Sequence, residues 1–327
     1  MELQVGVEVR GEGLRPAKPL QVFGQLGDDR RPVAPLAQPP RRDRLQAEAD
    51  FEEVFDLLGR HFAHADQAAI PAFTCYGADT ALAVVSAAEE PGLPVILLVA
   101  PSAAEPRLIR TLRAIADAAA VPVCVQLEHA KDEALIGMAI EHGVDAVLAD
   151  GSHLPPEANA AFVRAVRDFA APRGVVVEAE LGSVPGAEDR AEAVEVSGKT
   201  DPAQVGPFLA ASGARLLACG VGNVHGRYRG APDLDWPRLA RIRAEAGPVP
   251  LVLHGASGLS PADLRRCGAA GVGKVNVNTE LRTAMLATLE AGVGPARASG
   301  EDMLALTRSV LDKATGVART VLETLGG

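Results

Sequence analysis

Eight short apolar runs, rich in β-branched residues, alternate with helical runs between residues 69 and 289. The strand-like runs are 69–76, 94–100, 121–127, 144–150, 174–180, 214–221, 249–253 and 272–277. Helical runs follow at 80–90, 105–119, 133–142, 157–170, 202–211, 261–267 and 279–289. Most of the strand-like runs are continuously apolar instead of alternating, which is how strands buried on both faces read. Parallel strands need crossover helices, so eight such units predict an α/β protein closed as a (β/α)8 TIM barrel. An open doubly wound sheet is the competing architecture. It would want a glycine-rich fingerprint after the first strand, where this chain has Thr74-Cys75-Tyr76-Gly77-Ala78.

The flanks read differently. Residues 1–46 form an N-terminal extension of unassigned role, with a strand-like Val5-Gly6-Val7-Glu8-Val9 and then a Pro- and Arg-containing stretch. The barrel is expected over 47–292, beginning with a helix face made by Phe51, Val54, Phe55, Leu57, Leu58 and Phe62. Residues 293–327 read as a C-terminal helical tail of the same domain. Met303, Leu304, Leu306, Val310 and Leu311 would pack it on the barrel or on a second subunit.

Charge and cysteine content narrow the function class. With 32 basic against 42 acidic residues the net charge is −10, and no basic run exceeds a pair, so a nucleic-acid partner is not expected. No apolar run is long enough to span a membrane. The N-terminus lacks the basic and apolar regions of a secretory signal. Cys75, Cys124, Cys219 and Cys267 are widely spaced and read as buried reduced thiols of a cytoplasmic protein.

In such a barrel the residues just after the strands line the active face. Three of them are histidines: His129 in Gln126-Leu127-Glu128-His129, His225 in Gly222-Asn223-Val224-His225-Gly226, and His254 in Leu253-His254-Gly255-Ala256-Ser257-Gly258. Three neutral imidazoles suit Zn2+ with one position left open. His61, His64 and His142 are read as surface or packing residues. Gly255, Ser257, Asn276 and Thr279 supply backbone and side-chain donors at strands seven and eight, where barrels often bind phosphate. A metal beside a phosphate site suggests a sugar phosphate whose carbonyl or hydroxyls the metal chelates. Glu128, Glu180 and Glu188 are the candidate carboxylates for proton transfer.

Taken together, these segments resemble the class II, zinc-dependent fructose-bisphosphate/tagatose-bisphosphate aldolase family. The resemblance runs from about residue 50 to residue 289. It rests on 121–129, Asp150-Gly151-Ser152-His153-Leu154-Pro155, Val177-Glu178-Ala179-Glu180-Leu181-Gly182, Thr200-Asp201-Pro202, 222–228, 253–258 and 274–282. It implies that His129, His225 and His254 bind catalytic zinc and that Glu180 is an alternative or outer metal ligand. Glu188 falls where the family has a loop glutamate that moves the proton at the ketose-derived carbon. Gly226, Gly255, Ser257, Asn276 and Thr279 fall on phosphate and monovalent-cation (Na+ or K+) loops, and Arg229 where a phosphate-binding lysine is usual. The implied reaction is reversible aldol cleavage to dihydroxyacetone phosphate and an aldehyde, by a homodimer or homotetramer.

The departures concern the aldehyde half. The family usually has His-Leu-Asp-His where this chain has Gln126-Leu127-Glu128-His129, so Glu128 carries the expected carboxylate on one more methylene. Thr74 stands where an asparagine is usual, and Ala100-Pro101-Ser102 where a phosphate-contacting segment is usual. A misplacement of ~1 Å can cost about a hundredfold in rate. The expectation is an aldolase with altered acceptor specificity. The alternative is a non-catalytic metal-binding barrel used for ligand sensing or assembly.

Overall fold

The computed structural model describes residues 69–186 and 193–326. The expectations for residues 1–46, for the helix face at 51–62, for His61 and His64, and for Glu188 lie outside them. Eight parallel strands close into a barrel in simple sequential order: β1 (Ile70–Thr74), β2 (Val95–Val99), β3 (Val123–Ala130), β4 (Ala146–Ala149), β5 (Val176–Leu181), β6 (Leu216–Cys219), β7 (Leu251–Leu253) and β8 (Val272–Val277). Closure is made by β1 on β8, with Ile70 opposite Lys274 and Phe73 opposite Val277. The predicted barrel is therefore the observed one.

Both faces of each strand are buried, which explains the continuous apolar runs. Ile70, Ala72, Ile96, Leu98, Cys124, Ala146, Val176, Leu216, Ala218 and Val252 form one cluster. These are alternate residues along their strands and fill the barrel interior. The residues between them, such as Phe73, Leu97, Val125, Val147, Val177, Leu217 and Val275, pack outward with helix residues Ile109, Leu112, Val163 and Leu239. Towards the C-terminal ends the inward positions turn polar: Gln126 and Glu128 follow Cys124, and Glu178 and Glu180 follow Val176.

The helices are α1 (Ala78–Glu89), α2 (Pro106–Ala118), α3 (Glu133–Glu141), α4 (Pro156–Ala170), α5 (Pro202–Ser212), α6 (Trp236–Ala246), α7 (Pro261–Ala269), α8 (Thr279–Ala298) and α9 (Met303–Gly326). Several begin at side-chain caps that meet otherwise unsatisfied amides. Asp132 accepts from Ala134 N, Asp201 from Ala203 N, Asp235 from Arg238 N and Ser260 from Asp263 N. Pro202 and Pro261 take first-turn positions, where a missing N–H costs little.

Two elements differ from expectation. Helix α6 lies between β6 and β7, where none was assigned; its buried residues are only Leu239, Ile242 and Ala246 in an arginine-rich run. Helix α8 continues through Gly292, Gly294 and Pro295 to Ala298, so the 292/293 boundary falls within a helix. Leu306 of α9 occupies the space a Cβ at Gly292 would need, so the glycine there allows close packing of two helices. Helix α9 packs on α1 and α8 and buries Leu306, Val310, Ala314, Ala318, Val321, Leu322 and Leu325. Among the described residues no helix is long and apolar enough to cross a membrane.

Candidate metal centre and active site

Strand β3 carries His129 in an unusual backbone conformation. Leu127 pairs with Val147 and Ala130 with Ala149, so β3 holds one extra residue over this interval. His129 has φ 36°, in the left-handed region. In a regular strand Glu128 and His129 would point to opposite faces. The bulge turns both towards the same end of the barrel.

His225 and His254 come from the loops after β6 and β7, and close backbone approach fixes these loops. A Cβ on Gly186 would lie 2.3 Å from the His225 carbonyl oxygen, and one on Gly255 would lie 2.1 Å from that of Val224. Both glycines have positive φ, so their replacement would meet both strain and collision. Pro185 O accepts from His225 N at 2.8 Å. The Asn223 amide donates to the His254 carbonyl at 3.0 Å and accepts from Val221 N at 2.7 Å.

The three imidazoles converge. Their ring centroids are 4.9, 4.7 and 5.5 Å apart for the pairs 129–225, 129–254 and 225–254. One ring nitrogen from each lies within 4.8 Å of the others. His129 Nε2 is 3.0 Å from His254 Nδ1. The other nitrogen of each of these two rings faces a carboxylate: His129 Nδ1 is 3.1 Å from Asp150 Oδ2, and His254 Nε2 is 2.9 Å from Glu178 Oε1.

Those outer contacts test the fit to a metal. Two nitrogens that donate outward to carboxylates leave lone pairs on the two that face inward. With both outer nitrogens donating, a cation between the inner two would relieve the repulsion of lone pairs 3.0 Å apart. Tetrahedral zinc at about 2.0–2.1 Å from each nitrogen would set neighbouring ligands about 3.3 Å apart. The donor set fits, with carboxylates behind two imidazoles as metal sites usually have.

Four carboxylates surround the histidines. Burial opposes ionisation of Asp150, but hydrogen bonds from His129 and Ser152 outweigh it and hold the carboxyl below the usual range. Burial pushes Glu180 up, with the three histidines partly opposing it. Glu180 Oε1 accepts from Val184 N at 3.0 Å. Its Oε2 is buried without a hydrogen-bond partner among the described residues, 3.6 Å from His129 Nδ1. Glu128 Oε2 stands 3.8 Å from His129 Nε2 and 4.0 Å from His254 Nδ1. Glu178 lies deeper in the barrel, on Lys274.

Lys274 is fully buried and bridges two of these acids. Its Nζ is 2.7 Å from Glu178 Oε2 and 3.3 Å from Glu128 Oε1. Burial alone would lower the lysine, but the two carboxylates raise it. Burial likewise opposes charge on Glu178, but Lys274 and His254 hold it below the ordinary value. Gln126 donates to Glu178 Oε2 at 2.8 Å, and Asn276 donates to Glu128 Oε2 at 2.7 Å.

A cavity of about 550 Å3 opens over His129 and His225, lined also by Lys131, Asp150, His153 and Glu180 among others. Ser102, from the segment that departs from the family pattern, is on its wall.

The expected phosphate residues divide. Gly226, Ser257 and Thr279 line a second cavity of about 530 Å3. Ser257 Oγ accepts from Thr279 N at 3.1 Å, and the Thr279 hydroxyl goes to Gly226 O at 3.3 Å. Ser257 thus meets the first amide of α8, and Thr279 ties two loops instead of capping its own helix. Gly255 O accepts from Tyr228 OH at 2.9 Å. Asn276 is placed on Glu128, inside the barrel. Arg229 is exposed and pairs with Glu195 at 2.8 Å.

Asp150, Glu178 and Lys274 fall within the segments that carry the resemblance, but the sequence alone gives them no role. Their signal is the period of two that carries the inward face from Cys124 to Gln126 and Glu128, from Val176 to Glu178 and Glu180, and from Lys274 to Asn276. All four cysteines are free and buried. Burial raises the thiols of Cys75, Cys219 and Cys267 to about 12, which suits packing and not chemistry.

The profile of the family described as fructose-bisphosphate aldolase class-II matches residues 60–327. The chain belongs to that family. Among solved structures, a Coccidioides immitis protein assigned as a fructose-1,6-biphosphate aldolase is 31% identical with a TM-score of 0.75, over 83% of this chain and 95% of that one. The YdjI aldolase of Escherichia coli K12 is 29% identical with a TM-score of 0.71, over 82% and 96%. Fructose-bisphosphate aldolase of Campylobacter jejuni, 21% identical with a TM-score of 0.71 over 84% and 94%, shares the fold. Family and fold support an aldolase-type activity, that of a lyase, and the class II aldolase family is metal-dependent.

Proposed function

We propose that this class II aldolase makes or breaks a C–C bond between a dihydroxyacetone-phosphate-like donor and an aldehyde, with acceptor specificity shifted from fructose or tagatose bisphosphate. The observation that carries this reading is the pair of inner nitrogens, His129 Nε2 and His254 Nδ1, at 3.0 Å with carboxylates behind both rings. His129, His225 and His254 would hold zinc, with Glu180 as the carboxylate able to join them. Zinc, when bound, would supply a Lewis acid that polarises the donor carbonyl.

The chain's own residues supply the rest. Glu128 is the acid/base at the hydroxyl oxygen derived from the aldehyde; Lys274 and Asn276 orient its two oxygens. Glu188, from its place in the chain, moves the proton at the donor carbon. Gly226, Gly255, Ser257 and Thr279 receive the phosphate, with Arg229 as its cation and a monovalent cation on the same loops. The shift in acceptor follows from Glu128, Thr74 and Ser102. A homodimer or homotetramer in the cytoplasm completes the reading.

The test is solvent exchange. Zinc-loaded protein incubated with dihydroxyacetone phosphate alone in D2O should lose the C–H signal by NMR, and chelator or His225→Ala should abolish the loss. Absence of exchange with metal demonstrably bound would sink this donor assignment.

A further inference from the structure

The ion pair of Lys274 and Glu178 lies behind the metal centre and would touch neither metal nor substrate. We propose that Glu178 and Lys274 are its positioning residues. Glu178 dictates which nitrogen of His254 faces the other histidines, and Lys274 holds Glu178 to that task while gripping Glu128. The inference rests on the metal-site reading above.

The argument is one of hydrogen-bond inventory. An ionised carboxylate only accepts. Glu178 Oε1, 2.9 Å from His254 Nε2, therefore requires the proton on Nε2 and leaves the lone pair on Nδ1. That Nδ1 is the atom 3.0 Å from His129 Nε2. Glu178 Oε2 is occupied on its other side by Lys274 at 2.7 Å and Gln126 at 2.8 Å. The carboxylate is thus fixed from β3, the loop after β7, and β8, and cannot rotate away from the imidazole without leaving a buried ammonium short of its partner.

Lys274 extends the restraint to the acid/base. One ammonium serves both Glu178, which meets His254 Nε2, and Glu128, which stands 3.8 Å from His129 Nε2, with all three side chains at most 1% exposed. Substitution at Glu178 should therefore disturb metal affinity first.

The experiment compares wild type, Glu178→Gln, Glu178→Asp and His225→Ala by zinc competition against a chromophoric chelator, with thermal unfolding of the same samples. Glutamine places either an amide N–H against Lys274 or an amide N–H against His254 Nε2, and the second choice puts the wrong tautomer at the metal. Zinc affinity should fall about 10–100-fold in Glu178→Gln, and Glu178→Asp should recover part of it. Equal affinity of Glu178→Gln and wild type would overturn the proposal, because a merely structural pair would lower the melting temperature alone. If the glutamine variant does not fold, long-range 1H–15N spectra of the zinc-loaded wild type decide. A proton on His254 Nε2 is expected, and a proton on Nδ1 overturns the inference. Wild type that fails to bind zinc at all would instead remove the metal-site reading itself.

Discussion

His129 Nε2 lies 3.0 Å from His254 Nδ1, and the far side of each ring is engaged by a separate buried carboxylate, Asp150 and Glu178. Such a pair is repulsive when both rings are neutral and both outer nitrogens donate. A metal ion bound there would turn that repulsion into coordination. Metal binding should therefore stabilise the fold: a free concentration about a thousand times Kd adds about 4 kcal/mol by mass action. Thermal unfolding with and without zinc measures this. His254→Ala should abolish the zinc-dependent increase, and an increase that survives this substitution would place the ion elsewhere.

The backbone at His129 makes a separate prediction. A side chain at φ 36° carries a steric cost of roughly 1–2 kcal/mol that glycine escapes. In an ordinary strand glycine is worse than alanine by roughly 0.5–1 kcal/mol. Here the order should invert. In the absence of metal, His129→Gly should be about 1 kcal/mol more stable than His129→Ala by urea unfolding. If alanine is the more stable, the bulge holds no strain.

The barrel was legible because its strands are buried on both faces, and continuous apolar runs such as 94–100 have little other use. His129, His225 and His254 were legible because a histidine at the end of such a run has left the core for the mouth. The bulge was not legible, since nothing in Gln126-Leu127-Glu128-His129 says that two consecutive side chains share one side. Nor was the burial of Lys274. A lysine within a strand is buried only when counter-charges lie across the barrel, and Glu128 and Glu178 are distant by 146 and 96 positions. Helix α6 escaped notice because its apolar stripe is three residues wide among four charged ones, Arg238, Arg241, Arg243 and Glu245.

Acid sensitivity can be probed away from the three histidines at Asp235. Its carboxylate caps α6 through Arg238 N at 3.0 Å and also meets Arg238 Nε at 3.1 Å and Lys199 at 3.2 Å. The cost of burial is outweighed by these contacts together, and its pKa lies below the ordinary 3.8. A depressed folded-state pKa adds stability above the ordinary value, and this is lost as pH falls through the folded one. Asparagine caps as well as aspartate, so Asp235→Asn isolates the charge. The variant should be less stable than wild type at pH 7, by less than about 1 kcal/mol for so accessible a site. The difference should close between pH 3.8 and lower values. A difference that persists unchanged at pH 3 would mean that charge is not the cause.

Arg229 separates stability from substrate binding. It is exposed and paired with an exposed Glu195, beside the two-residue parallel pairing of Ala193–Val194 with Arg227–Tyr228. Exposed pairs of this kind contribute about 0–1 kcal/mol, so Arg229→Ala should leave the melting temperature nearly unchanged. If Arg229 leaves Glu195 to meet the donor phosphate, the same variant should raise KM for dihydroxyacetone phosphate with little change in kcat. Turnover of unphosphorylated dihydroxyacetone should be indifferent to it. Glu195→Gln releases the guanidinium from its competing carboxylate and should lower KM for the phosphorylated donor. Equal losses on both donors in Arg229→Ala would instead assign Arg229 to holding the short sheet together and leave the phosphate to the Gly226, Ser257 and Thr279 loops.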